Sequence, residues 1–261
     1  MSKEHLWPDW LKAYIPRTSP NWGQQSSTLY LDKPADERER INQGDPHAAK
    51  LRIVCVRCNT GWMSRLQESA KPVLVPMLLG QPTLLYRRQQ QLLARWAAMF
   101  VMTNEFATLH PEKISISQSD RVFVMERDRP PSNWRIWIGY YPRDGLDGRW
   151  AHYTIPVSDD DHPVMLTRDN EPIPNTQASS FTIGHLFVTV LSSVFPSLVT
   201  RWKFDQSSEG LLTQILPVRH PAVRWPPRAM NHIDADRIAG AFFYRGTKFK
   251  APFEVRKAPS R

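Results

Sequence analysis

The chain predicts an α+β protein: a small N-terminal α+β module at residues 1–80, then a larger unit at 81–261 in which a long helix packs on a mainly antiparallel sheet. Three observations carry this. One 23-residue stretch, "RRQQQLLARWAAMFVMTNEFATL", keeps a helical period through Leu92, Leu93, Trp96, Met99, Phe100 and Thr103. Beyond Pro111 the texture changes to short β-branched and aromatic runs separated by turn clusters such as "RDGLDGR". Ahead of the long helix, a short alternating run, "KLRIVCV", leads through two cysteines directly into a helical pattern.

Taken in order, residues 1–15 hold a short helical pattern, with Pro8 suited to a first turn and Trp10, Leu11, Tyr14 and Ile15 at helical spacing. Residues 16–48 are polar and turn-rich. They predict a loop with one strand at "STLYL" and a charged helical turn at "DERER". After "KLRIVCV", the run "TGWMSRLQESAKPVL" reads as a helix with Trp62, Leu66 and Ser69 on one face, ended or kinked at Pro72. Strands are expected at "RVFVMER", "WRIWIGYY", "WAHYTIPV", "SFTIGHLFVTVLS" and "LLTQILPV". A helix follows at "DADRIAGAFF", capped by Asp234, and then a basic tail, "RGTKFKAPFEVRKAPSR". No internal repeat is visible.

With 41% hydrophobic residues and 10 tryptophans in 261, the chain has the material for a sizeable core and not the composition of a disordered one. The 23 prolines predict many irregular connections. A net charge of +9 and a pI near 9.8 favour a polyanionic partner, nucleic acid before membrane surface. The first residues are charged and lack an apolar signal core, and no run approaches the roughly 18 apolar residues of a membrane span. The expectation is a soluble, cytoplasmic protein. No glycine-rich phosphate loop and no G-x-S-x-G pattern occurs, so nucleotide-dependent and serine-hydrolase chemistries lack a motif.

The two cysteines, Cys55 and Cys58, are the only ones in the chain. Their C-x-x-C spacing reads as metal or redox chemistry rather than a disulfide framework. Tetrahedral zinc needs two ligands more, and packed free thiols are the plain alternative. At the N-terminus, "KEHLWP" sets an acid beside a histidine, Glu4 and His5. Such a pair can divide labour between holding a divalent ion and taking a proton from water, or can be an ordinary surface pair. His47 in "GDPHAAK" is the nearest further histidine in sequence and reads as a loop residue. His185 reads as a core residue of an apolar strand, "DDDH" at 159–162 as an acidic turn, and Trp96 with Met99 as a core stripe.

"SKEHLWPDWL" followed some fifty residues later by "VCVRCNTGWMSRLQESAKPVL" resembles bacterial and phage proteins of the HNH endonuclease superfamily, over residues 3–80. The resemblance implies a ββα-metal finger and metal-dependent hydrolysis of phosphodiester bonds in nucleic acid, DNA before RNA. It implies that His5 is the general base, that Glu4 and Asn59 are ligands of a catalytic Mg²⁺ or Mn²⁺, and that Cys55 and Cys58 are half of a structural Zn²⁺ site. Two usual features have no counterpart here: a second C-x-x-C ahead of the acid–histidine pair, and an orienting Asn near position 50, which is Lys50. The same resemblance therefore also fits a catalytically degenerate finger that binds nucleic acid or a protein partner. "NWRIWIGYYPR" and "VRWPPRAMNH" mix aromatic and basic residues in a way that suits base stacking and phosphate contact, or else a sheet core.

Overall fold

The computed structural model describes residues 2–14, 21–28, 36–43, 50–108, 114–142, 150–158, 165, 166, 168, 170, 172–246 and 254–255. The fold is α+β, with a long helix over a mainly antiparallel sheet. Seven strands form that sheet: β2 (Asn21–Thr28), β3 (Asp36–Gln43), β6 (Trp134–Tyr140), β7 (Trp150–Ile155), β9 (Thr176–Ile183), β10 (Leu186–Ser193) and β11 (Leu212–Leu216). Their order is β11-β6-β10-β9-β7-β2-β3, and among the described residues only β2 with β7 runs parallel.

The long helix, α3, spans Arg87–Thr108 as its period predicts. Its apolar stripe meets one sheet face through an aromatic cluster. Phe100 lies 5.1 Å from Trp7, 5.5 Å from Trp96 and 4.4 Å from Phe181 between ring centroids. Such pairs contribute about 0.5–1.5 kcal/mol each beyond area burial. Trp134, Trp137 and Trp150 of the sheet are buried, and so is Trp225 of the short strand Ala222–Trp225, which lies outside it. The aromatic halves of "NWRIWIGYYPR" and "VRWPPRAMNH" therefore serve packing.

Residues on both sides of position 80 pack together. Strands β2 and β3 add to the edge of the large sheet. Leu6, Trp7, Leu11 and Leu66 share one core cluster with Trp96, Trp134 and Trp225. Several expectations are corrected. "DERER" is not a helical turn but the start of edge strand β3. The neighbouring strand covers Asn21–Thr28, ahead of most of "STLYL".

"RVFVMER" is not a strand but most of α4 (Gln118–Glu126). Ser117 caps it by accepting the Asp120 N–H at 3.1 Å. Arg95 of α3 donates to the Val124 and Met125 carbonyls at its far end. Local caps and packing on α3 thus override β-propensity. "SFTIGHLFVTVLS" is one hairpin rather than one strand. Gly184, at φ 53°, turns β9 into β10, the position at which a two-residue turn of this hand takes glycine. His185 accordingly sits in that turn, its ring 5.7 Å from that of Tyr140, and not within a strand.

The helix after the cysteines is not stopped by Pro72. α2 spans Ser64–Leu78 and carries both Pro72 and Pro76. Leu66, Ala70, Leu74, Met77 and Leu78 are buried along it, and that burial outweighs the missing backbone donors. α6 (His232–Gly246) begins with a reciprocal cap. Asn231 Oδ1 accepts the Asp234 N–H at 2.9 Å, and Asp234 Oδ2 accepts the Asn231 N–H at 3.2 Å. The cap is therefore Asn231, and Asp234 returns the bond from the first turn. Asn231→Ala is expected to lower stability by about 1 kcal/mol, read from the urea midpoint. An unchanged midpoint would show the cap to be idle. His47, the acidic turn at 159–162 and most of the basic tail lie outside the described residues. Glu254–Val255 of that tail pair with β8 (Val157–Ser158).

Candidate functional site

β1 (Ser2–His5) and β4 (Lys50–Val54) form their own antiparallel pair, with Glu4 opposite Leu51 and His5 opposite Lys50. The chain leaves β4 at Cys55 and enters a helical segment at once: α1 (Val56–Cys58), a wide turn at Asn59–Met63, then α2. Gly61 breaks the helical winding in that turn, at φ −98° and ψ −108°. The segment's first turn folds back on β1. Asn59 Nδ2 donates to the Lys3 carbonyl at 3.4 Å. The amide just past the cysteines therefore lies beside the peptide that joins Lys3 to Glu4. From there to His5 is two residues of strand, about 7 Å of chain.

Side chains alternate along a strand, and directly opposed residues share a face. Glu4 and Leu51 thus share one face, and Leu51 packs against the core. His5 and Lys50 share the other, on which Arg52 follows. Lys3, Lys50 and Arg52 are exposed. Burial raises the Glu4 carboxyl from 4.5 to about 7. The folded state therefore favours the protonated acid. This contribution to stability is full below pH 4.5 and is lost as the pH rises through about 7. Urea midpoints are expected to fall across that window in the wild type and to stay flatter in Glu4→Gln. Parallel profiles for the two proteins would show that Glu4 is not desolvated.

Two features that the sequence did not single out hold His5 in place. His5 Nε2 stands 3.9 Å from Asp9 Oδ1, one turn further along at the start of the 3-10 turn Asp9–Ala13. Lys12 bonds the Asp9 carboxylate and holds its pKa below the ordinary value. Next to His5, Leu6 and Trp7 are buried plugs, and Asn104 of α3 donates from Nδ2 to the Leu6 carbonyl at 3.2 Å. Gln67 Oε1 accepts from both Trp10 Nε1, at 3.1 Å, and Trp96 Nε1, at 2.9 Å, and so ties this turn to α2 and α3. The i, i+4 spacing of His5 and Asp9 is the signal that could have found the first of them; nothing in the spacing points to the bond from Asn104.

The cysteines flank the same junction. Cys55 is exposed and caps the helical segment, its Sγ accepting the Cys58 N–H at 3.1 Å. Hydrogen bonds from the Cys58 thiol and backbone lower the Cys55 pKa, and the same thiol contact raises that of Cys58. Among the described residues, no three or more His, Cys, Asp or Glu side chains are grouped to share a metal ion. The two thiols thus lack the partners of a closed tetrahedral zinc site among those residues. Glu4 and Asn59 offer hard oxygens suited to Mg²⁺ or Mn²⁺. Mg²⁺ commonly takes one or two protein ligands and completes its shell with water and phosphate.

No helix among the described residues is long and apolar enough to cross a membrane. The chain matches no protein-family model, no curated protein and no solved structure.

Proposed function

We propose that the chain is a metal-dependent nuclease of HNH type that hydrolyses phosphodiester bonds in nucleic acid, DNA before RNA. The observation that carries this reading is the Asn59 amide lying 3.4 Å from the Lys3 carbonyl, which brings the helix start to the strand bearing Glu4 and His5. The divalent ion, when bound, supplies neutralisation of the phosphate and of the leaving oxygen. Glu4 and Asn59 contribute oxygens to hold it. His5 in its neutral form takes a proton from water, and the Asp9 carboxylate faces the imidazolium that results. Lys50 and Arg52, on the His5 face of the strand pair, offer cationic partners to the backbone of the substrate.

A second reading has its own support. Glu4 and His5 point to opposite faces of the strand pair, and Glu4 faces the apolar side. That arrangement favours a finger that binds nucleic acid through its basic face without cutting it. Plasmid and single-stranded substrates incubated with Mg²⁺ or Mn²⁺ separate the two. Nicking that chelator abolishes is the expected result. Salt-dependent binding without cleavage under any divalent ion would establish the second reading instead.

A further inference from the structure

We propose that Cys55 and Cys58 are a redox-active dithiol that exchanges with small-molecule disulfides and closes to an intramolecular disulfide. The inference stands apart from the nuclease reading and rests on how the two sulfurs are presented. Cys55 and Cys58 occupy the cap and the third position of one helical turn, where side chains lie about 5–6 Å apart at Cβ. Disulfides need Cβ atoms about 3.5–4.5 Å apart, so closure draws Cys55 inward by about 1–2 Å, through a backbone rotation at the extended cap position that lies outside the helix. The two residues already interact: Cys55 Sγ accepts the Cys58 N–H at 3.1 Å.

Their environments divide the roles. Cys55 is exposed, and it is followed by Val56, which is 58% exposed, and by exposed Arg57. An incoming disulfide thus meets an open sulfur, an apolar side chain and a cation. That surface fits a disulfide bearing carboxylates. Cys58 is half-buried and packs against the core cluster together with Trp62. It is sheltered from a bulky oxidant but within one turn of Cys55.

The exchange balances in two steps. Cys55, having released its proton, attacks one sulfur of the oxidant and forms a mixed disulfide; the oxidant's other sulfur leaves as a thiolate and takes up a proton. Cys58 then attacks Cys55 Sγ and gives its proton to the second leaving thiolate. The oxidant is reduced to two thiols, and the protein loses two hydrogens. The new bond lies directly before Asn59, so oxidation tightens the turn that presents Asn59 to β1.

Oxidised glutathione is the probe, applied to the full chain, with free-thiol count and intact mass as readouts and circular dichroism as the check on fold. The expected result is loss of both thiols and of two hydrogens, reversed by reduced glutathione. Cys58→Ser is expected to stop with one glutathione attached to Cys55. Cys55→Ser keeps a capping oxygen and is expected to leave Cys58 as a free thiol. The proposal is overturned if the wild type keeps both thiols or ends as a stable glutathione adduct. It is also overturned if Cys58 in Cys55→Ser reacts as fast as the wild-type pair. One zinc per chain that shields both thiols until a chelator removes it would overturn it equally.

Discussion

Glu105→Ala is expected to cost about 3–5 kcal/mol of stability and to drive much of the chain out of the native state at physiological temperature. Glu105 is wholly buried on α3. Its Oε1 accepts the Ser115 N–H at 2.7 Å, the Ser115 hydroxyl at 2.5 Å and the Ile116 N–H at 3.2 Å, while Oε2 accepts from Arg121. His152 Nε2 stands 3.7 Å from Oε1, longer than a hydrogen bond, and its Nδ1 pairs with Ser179 at 2.7 Å. Burial alone pushes the carboxyl pKa up. The facing His152, the Arg121 guanidinium and Ser115 more than offset that and hold it below the ordinary value.

Removing the carboxylate strands the largely buried Arg121 and the Ser115 donors together, which is why the loss exceeds that of a surface pair. The sign with pH follows. A lowered folded-state pKa contributes stability above the ordinary carboxylate range, and that stability is lost as pH falls through the folded value. Urea unfolding at neutral and acid pH measures both effects. The double variant Glu105→Leu with Arg121→Met is expected to recover part of the loss, because it leaves no buried charge unpaired. A Glu105→Ala midpoint within about 1 kcal/mol of the wild type, the worth of an exposed pair, would sink the account.

None of this network was legible in the chain. Glu105, Arg121, His152 and Ser179 come from a helix, the next helix and two strands, and nothing in their spacing announces that they meet. What could be read was local. The 3.6 repeat of Leu93, Trp96 and Phe100 gave α3 its place, and β-branched and aromatic runs between turn clusters gave β6, β7 and β11 theirs. The failures have one cause, local signals that lose to packing. "RVFVMER" carries β-branched residues, yet a Ser117 cap and contact with α3 make it helical. Pro72 should end a helix, yet the buried row through Leu74 and Met77 carries α2 past it. At the candidate site, the acid–histidine pair and the C-x-x-C-N run could be seen. That β1 would pair with β4 and not with a nearer strand is a long-range fact. The facing of Glu4 away from His5 follows from the register of that pair.

If the chain is the nuclease proposed above, His5→Ala is expected to reduce phosphodiester cleavage by about 10²–10⁴-fold, the usual worth of a positioned general base, while leaving the fold intact. The fold is spared because the neighbouring anchors do the packing: Leu6 and Trp7 are buried, and Asn104 holds the Leu6 carbonyl. The loss should fall on kcat. Lys50→Ala removes a cation opposite His5 and should instead raise KM and flatten the salt dependence, because it touches substrate charge and not the proton transfer. Asp9→Asn should lose less than His5→Ala, since Asp9 is exposed and sits 3.9 Å from the imidazole. Single-turnover cleavage of a plasmid at saturating Mn²⁺ reads all three variants. If His5→Ala cuts at the wild-type rate, the imidazole takes no proton from the attacking water, and the base must be sought elsewhere on the basic face.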